Sequence, residues 1–202
     1  MVKRMSNVDS TSQSIPVRTR KFDGFLLLLL VVSLALNVYL GWKLKQAPII
    51  QPSASKPLVG KKVDPVTARG LDGKPVTITY NESNKPTVYY VMTPSCIWCR
   101  RNQGNINKIA ETKANDFRFV GLSLAEEGLQ QYADEHPLKF PIYTGLTEGT
   151  VRALGLGSTP QTIIVAPGGQ VVKVWTGAYI DKLQPEIEAY FGTQLPGLVP
   201  LK

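Results

Sequence analysis

Cys96 and Cys99 are the only cysteines in the 202 residues, and they stand as Cys-x-x-Cys within Thr93-Pro94-Ser95-Cys96-Ile97-Trp98-Cys99-Arg100-Arg101. An apolar, β-rich run, Pro86 to Met92, leads into the pair, and a helix-compatible run follows it. A strand that hands two thiols to the first turn of a helix constrains the fold and the chemistry together. Unpaired N–H groups and the helix dipole favour an anion there, and the thiolate is the reactive form of cysteine. On this geometry Cys96, at the helix start, is the attacking thiolate, and Cys99, one turn on, resolves a mixed disulfide. Trp98 between them is either an apolar docking surface for a partner or a residue packed on its own domain. The competing reading of the pair is two buried, inert side chains, a common state of free cysteine.

Other uses of the cysteines are weaker. Two cysteines this close make no disulfide scaffold. With a single histidine, His136, the chain lacks the four soft ligands of a structural zinc site unless two chains share one. Dithiol exchange itself calls for no metal and no cofactor.

The formal net charge of +8 resembles that of a nucleic-acid binder, but its placement argues otherwise. Residues 1–62 carry ten Lys/Arg against Asp9 and Asp23, whereas 63–202 carry thirteen charges of each sign. The basicity belongs to the leader. No basic stripe with interleaved aromatics is present, so nucleic acid is not an expected partner.

Residues 1–21 are polar and basic without apolar period, and they read as a disordered cytoplasmic tail. Phe25 to Trp42 is then uncharged for eighteen residues, near the lower limit for crossing a hydrocarbon core of about 30 Å. With Phe22 it gives an expected transmembrane anchor over 22–42. The rival reading is a secretory signal cleaved near Ser33-Leu34-Ala35. The apolar run continues past Ala35, and 24 residues precede it, both of which favour retention. Five basic residues before the segment favour tail inside and domain outside. Pro48, Pro52 and Pro57 make 43–59 an extended linker.

The folded domain is expected over 60–192, with a loose Pro-containing tail at 193–202. Leu71-Asp72-Gly73-Lys74 turns into a strand at 76–80, and 87–92 reads as a strand buried on both faces. One helix is expected from Ile97 to about Lys113, then a strand at 117–122, a helix at 126–135, a short strand at 140–143 and a helical turn or two at 147–154. The hairpin 161–165 and 171–175, turned by Pro167 to Gln170, precedes a closing helix 181–191 with Asp181 as its N-cap. This order specifies an α/β domain with a central mixed sheet flanked by helices.

Residues 86–99, Thr159-Pro160 and the terminal hairpin and helix resemble the thioredoxin-like superfamily, in its membrane-anchored TlpA/ResA-like branch of thiol:disulfide oxidoreductases. The resemblance covers most of 60–192. It implies a thioredoxin-like fold preceded by one transmembrane helix, in a bacterial inner membrane with the domain on the periplasmic side. It implies exported protein thiols and disulfides as partners, with an unidentified redox donor or acceptor; cytochrome c maturation is one such role. It also implies that Pro160 is cis and that Thr159, opposite the cysteines, contacts the backbone of the bound partner; Trp98 and Pro160 join Thr159 as the candidate partner-binding residues. The chain departs from the family in carrying Trp98 where many relatives have Pro. Tyr90 and Asn102 stand where relatives often place a buried acid. Two rival functions share these residues. Thr93-x-x-Cys96 resembles the peroxiredoxin core, although Tyr89 replaces the proline expected there. A non-catalytic assembly module would use Trp98, Thr159 and Pro160 for docking, with the cysteines as a static disulfide.

Overall fold

A computed structural model of the chain describes residues 22–46, 58–82 and 84–200. The expected tail at 1–21 and most of the expected linker, 47–57, lie outside the described residues. The chain divides into two compact units, Met1–Ala54 and Ser55–Lys202, each described here by itself.

The first unit holds helix α1, Phe22–Gln46. Its described side chains, 24–40 and Trp42, are all exposed, and Leu26 to Leu30 alone put apolar groups on every side of the helix. The Asn37 amide donates to the Ser33 carbonyl one turn back, 2.9 Å away. Among the described residues, no helix is long and apolar enough to cross a membrane; the unbroken run of described side chains in α1 stops at residue 40.

In the second unit one seven-stranded sheet runs in the order β2-β1-β5-β4-β3-β6-β7. Its strands are β1 Val66–Gly70, β2 Pro75–Ile78, β3 Thr87–Met92, β4 Arg118–Ser123, β5 Ile142–Thr144, β6 Gln161–Val165 and β7 Val171–Thr176. β3, β4 and β5 are parallel, and the pairs at the two sheet edges are antiparallel. The helices are α2 Ile97–Arg101, α3 Gln103–Lys113, α4 Leu129–Glu135, α5 Glu148–Ala153 and α6 Leu183–Phe191.

β3 is buried at all six residues, and its period of two divides the core. Val88, Tyr90 and Met92 pack with Cys99, Ile106, Ile109, Ile187 and Phe191. Tyr89 and Val91 point the other way, into a cluster with Val66, Ile78, Leu154 and Ile163. Apolar residues on both faces are what a central strand covered on each side requires.

Four expectations need correction. The helix expected to be continuous from Ile97 is two, because Asn102 breaks it with a fully buried side chain engaged elsewhere. α4 begins at Leu129 rather than Glu126, entered through Gly128 at φ 70°. Asp181 does not cap α6: it adopts φ 49°, and the helix begins at Leu183 with Lys182 before it. The segment expected to be a loose tail is tied down as far as it is described, to residue 200. Leu195 is buried in the Cys99 cluster, its N–H donates to the Glu188 carboxylate at 2.9 Å, and the Gly197 N–H donates to Asn105 Oδ1 at 2.9 Å.

Leu195→Ala therefore removes a core side chain and is expected to cost about 2 to 3 kcal/mol in urea unfolding of the full chain. A truly loose tail would give a change within about 0.5 kcal/mol.

Candidate redox site

The pairing of β3 with β6 assembles the site. Val91 lies opposite Gln161 in that antiparallel pair, so the end of β3 that leads to Cys96 meets the start of β6, where Pro160 sits. The Thr159–Pro160 bond is cis, as the family resemblance implies. The Pro160 carbonyl accepts from the Gly177 N–H at 2.8 Å, which brings the chain after β7 alongside. Trp98, Thr159 and Pro160, far apart in sequence, consequently wall one groove of about 540 Å³ with Ala178, Ile180 and Leu183. Ala178 and Ile180 were not singled out in the sequence, because isolated residues between a strand and a helix carry no periodic signal; Leu183 reads in the sequence as part of the apolar side of the closing helix, and here it also walls the groove.

Cys96 and Cys99 form a disulfide, with Cα atoms 5.2 Å apart. Their surroundings are unequal. Cys96 is the N-cap of α2, in extended backbone, and its Sγ accepts the Cys99 N–H at 3.0 Å. It is half-buried, flanked by exposed Ser95 and Ile97. Cys99 is fully buried among Tyr90, Met92 and Ile106. One sulfur is reachable and held by an N–H donor at a helix start; the other is shut inside the core. This asymmetry suits attack at Cys96 and internal closure by Cys99.

Beneath Cys99 the two positions that lack a carboxylate contact each other. Asn102 Nδ2 donates to the Tyr90 hydroxyl at 3.4 Å, and that hydroxyl donates to the Cys99 carbonyl at 3.4 Å. Asn102 Oδ1 accepts from the Tyr179 N–H and from Asn105 Nδ2, both at 3.0 Å. A buried amide with partners on both its oxygen and its nitrogen is a stable arrangement, whereas an unpartnered one costs about 1 to 3 kcal/mol. The layer is polar and uncharged.

The flanking arginines differ. Arg100 is exposed. Arg101 is half-buried, with its guanidinium carbon 5.0 Å from the centre of the Trp98 ring. Trp98 itself is 43% exposed, with one face against Arg101. On the other side of the motif, Pro94, Ser95 and Arg100 line a cleft of about 410 Å³ with Glu127, Tyr132 and His136.

A mixed sheet flanked by helices, with a Cys-x-x-Cys disulfide at a helix start beside a cis-proline, defines a thioredoxin-like domain. The chain belongs to the Redoxin family, whose sequence pattern matches residues 58–190. Among relatives, the thiol-disulfide oxidoreductase ResA of Halalkalibacterium halodurans is 28% identical over 94 residues, covering 45% of this chain and 53% of that protein. The chain thus spans about half the length of the curated relative it matches. Two solved structures share the fold. A putative thiol:disulfide interchange protein DsbE from Chlorobium tepidum aligns at TM-score 0.55 and 19% identity, over 66% of this chain and 98% of its own. The thioredoxin domain of a thiol-disulfide oxidoreductase from Bacteroides vulgatus aligns at TM-score 0.54 and 20% identity, over 66% and 97%.

Phenols around the site are held protonated. Burial holds Tyr132 up at about 12, with Arg100 pulling weakly the other way. Burial likewise pushes Tyr90 well above the usual range, helped by neighbouring Tyr179 and opposed by the Asn102 hydrogen bond. Each folded-state value is raised, so the stability these groups contribute is complete below about pH 10 and is lost as pH climbs from there through the folded values. Urea unfolding is expected to show stability independent of these groups up to about pH 9 and falling steadily toward pH 12. Tyr132→Phe should remove on the order of 2 kcal/mol of that fall. At pH 7 the same substitution should be neutral or stabilising, since the buried hydroxyl has no protein partner among the described residues.

Proposed function

We propose that the chain is a membrane-tethered thiol:disulfide oxidoreductase that exchanges disulfides with exported proteins through Cys96 and Cys99. The observation that carries this reading is the unequal burial of the two sulfurs, one reachable at the N-cap of α2 and one sealed in the core. In the reducing direction the Cys96 thiolate attacks one sulfur of a partner disulfide. That forms a mixed disulfide and releases the partner's other sulfur as a thiolate. Cys99, deprotonated, then attacks Cys96 Sγ, closes the Cys96–Cys99 bond and releases the second partner thiol. Two electrons pass to the partner, and a separate reductant of the thiol class restores the dithiol. The oxidising direction runs the same steps in reverse. Trp98, Thr159 and Pro160 are the partner-docking residues of this reading, and the groove they wall supports it. The name of the ResA relative supports the activity.

Full-chain variants test the roles against an inert assembly module. With insulin as the disulfide probe, Cys99→Ser is expected to accumulate a covalent adduct through Cys96. Cys96→Ser is expected to form none and to lose at least about a thousandfold in exchange rate, since no serine replaces a thiolate nucleophile at neutral pH. Wild-type exchange by Cys96→Ser would refute the assignment.

We further place α1 in the inner membrane, with the domain on the periplasmic side. The eighteen uncharged residues Phe25 to Trp42 support this, as does helical backbone over Phe22–Gln46, about 37 Å at 1.5 Å per residue. The Asn37 amide, satisfied by its own helix, suits a low-dielectric surround. On this reading 1–21 is a cytoplasmic tail and 43–59 a tether. Alkaline carbonate extraction of membranes should leave the chain in the pellet at its intact mass of 22.2 kDa. Release into the supernatant, or a chain shortened at Ala35, would favour the cleaved-signal alternative.

A further inference from the structure

The segment 195–199 forms a strap against α2 and α3 that neither the family match nor the exchange reading uses; the matched family pattern ends at residue 190. Leu195 anchors it in the Cys99 cluster. Gly197, at φ 88°, turns the backbone through a conformation that strains any other residue, and its N–H reaches Asn105 Oδ1. Two bonds then close on a single residue of the redox helix. The Val199 N–H donates to the Arg101 carbonyl at 2.8 Å, and Arg101 Nε donates back to the Val199 carbonyl at 3.2 Å.

The break at Asn102 explains why Arg101 is open to this contact. In an unbroken helix the Asn105 N–H would bond the Arg101 carbonyl. Here it goes to the Asn102 carbonyl at 3.1 Å instead, and the strap takes the freed acceptor. Residue 104 is glycine, and a Cβ there would meet Val199 Cγ2 at 3.6 Å and Pro196 Cγ at 3.8 Å, so the strap lies directly over the start of α3. With its backbone and Nε fixed, Arg101 holds its guanidinium over the Trp98 ring. Trp98 in turn walls the groove beside Pro160.

We propose that the strap is a positioning element for partner recognition: Val199, acting through Arg101, fixes Trp98 in the pose that a docking protein disulfide meets. The inference rests on the exchange reading above and adds what regulates its docking groove. A strap of this kind alters how well a protein partner binds and leaves the intrinsic reactivity of Cys96 unchanged, because no strap residue touches either sulfur in the contacts that hold it.

The test uses the full chain and two probes: insulin, a protein disulfide, turned over with dithiothreitol as electron donor, and 5,5′-dithiobis(2-nitrobenzoate), a disulfide too small to span the groove, reacted in a single turnover with chain reduced beforehand and freed of dithiothreitol. Val199→Pro deletes the N–H donor, and Arg101→Gln deletes the cation over Trp98 while leaving the strap's own N–H in place. Each is expected to raise the KM for insulin about three- to fivefold, the scale of one lost cation–π contact, with kcat and the small-disulfide rate within about twofold of wild type. The double variant should be no worse than the worse single, since both act through one contact. Unchanged insulin KM in Arg101→Gln overturns the proposal, even where Val199→Pro lowers Tm. Equal losses on both probes also overturn it, since they place the strap's effect on the dithiol itself. A wild-type chain inert to both probes defeats the exchange reading instead, which keeps the two failures distinct.

Discussion

The antiparallel pairing of β3 with β6 is the constraint on which the site depends. Its register sets Val91 against Gln161, and this alone brings a motif at 96–99 next to a proline at 160. A shift of one residue would turn Tyr90 and Met92 out of the Cys99 cluster and exchange the two faces of the strand. β3 has no solvent face to spare, because all six residues are buried and both faces carry large side chains. The core packing that fixes the register therefore also fixes where the thiols stand relative to the groove beside Pro160. Stability and function share one set of contacts here.

The second determinant is the break at Asn102. At the break the Asn102 N–H keeps its bond to the Trp98 carbonyl, while the side-chain amide serves the Tyr179 N–H and the Tyr90 hydroxyl. The break turns Asn102 into a junction that joins β3, the chain after β7 and α3 through three side-chain contacts. It also ends α2 after five residues, so the segment bearing both cysteines is a short piece held from below by Asn102 and from its end by Val199. Rigid support of this kind is what an exchange site requires, since a resolving thiol must meet its partner sulfur along a narrow line of approach.

Much of this was legible in the sequence where a residue type has one strong meaning. The lone Cys-x-x-Cys after an apolar run placed the redox candidates. The β-rich run 87–92 read as a central strand and is one. Thr159-Pro160 gained its meaning from resemblance rather than from local sequence, which permits either isomer. The failures have physical reasons. Asp181 is a favoured N-cap residue, but Asp also tolerates the left-handed region, and here that second property prevails. Asn102 sits in a run whose apolar positions 106, 109 and 110 keep helical spacing, so no periodic signal marks the break. Leu195 is one apolar residue among prolines and glycine, which reads as loop; its burial depends on a hole in the Cys99 cluster that only the assembled fold contains. Ile180 was missed for the same reason, as groove walls are made by tertiary proximity.

The uncharged layer under Cys99 bears on how the exchange must run. On the proposed exchange, closing the disulfide requires Cys99 to give up a proton before it attacks Cys96, and regenerating the dithiol requires it to take one back. The Tyr90 hydroxyl cannot serve as a base near neutral pH, because burial holds its proton well beyond the usual tyrosine range. Neither the Asn102 nor the Asn105 amide titrates. The hydrogen-bonded layer thus orients Cys99 but carries no proton for it, and proton exchange has to pass through Cys96, the departing partner thiolate or solvent admitted on the Cys96 side.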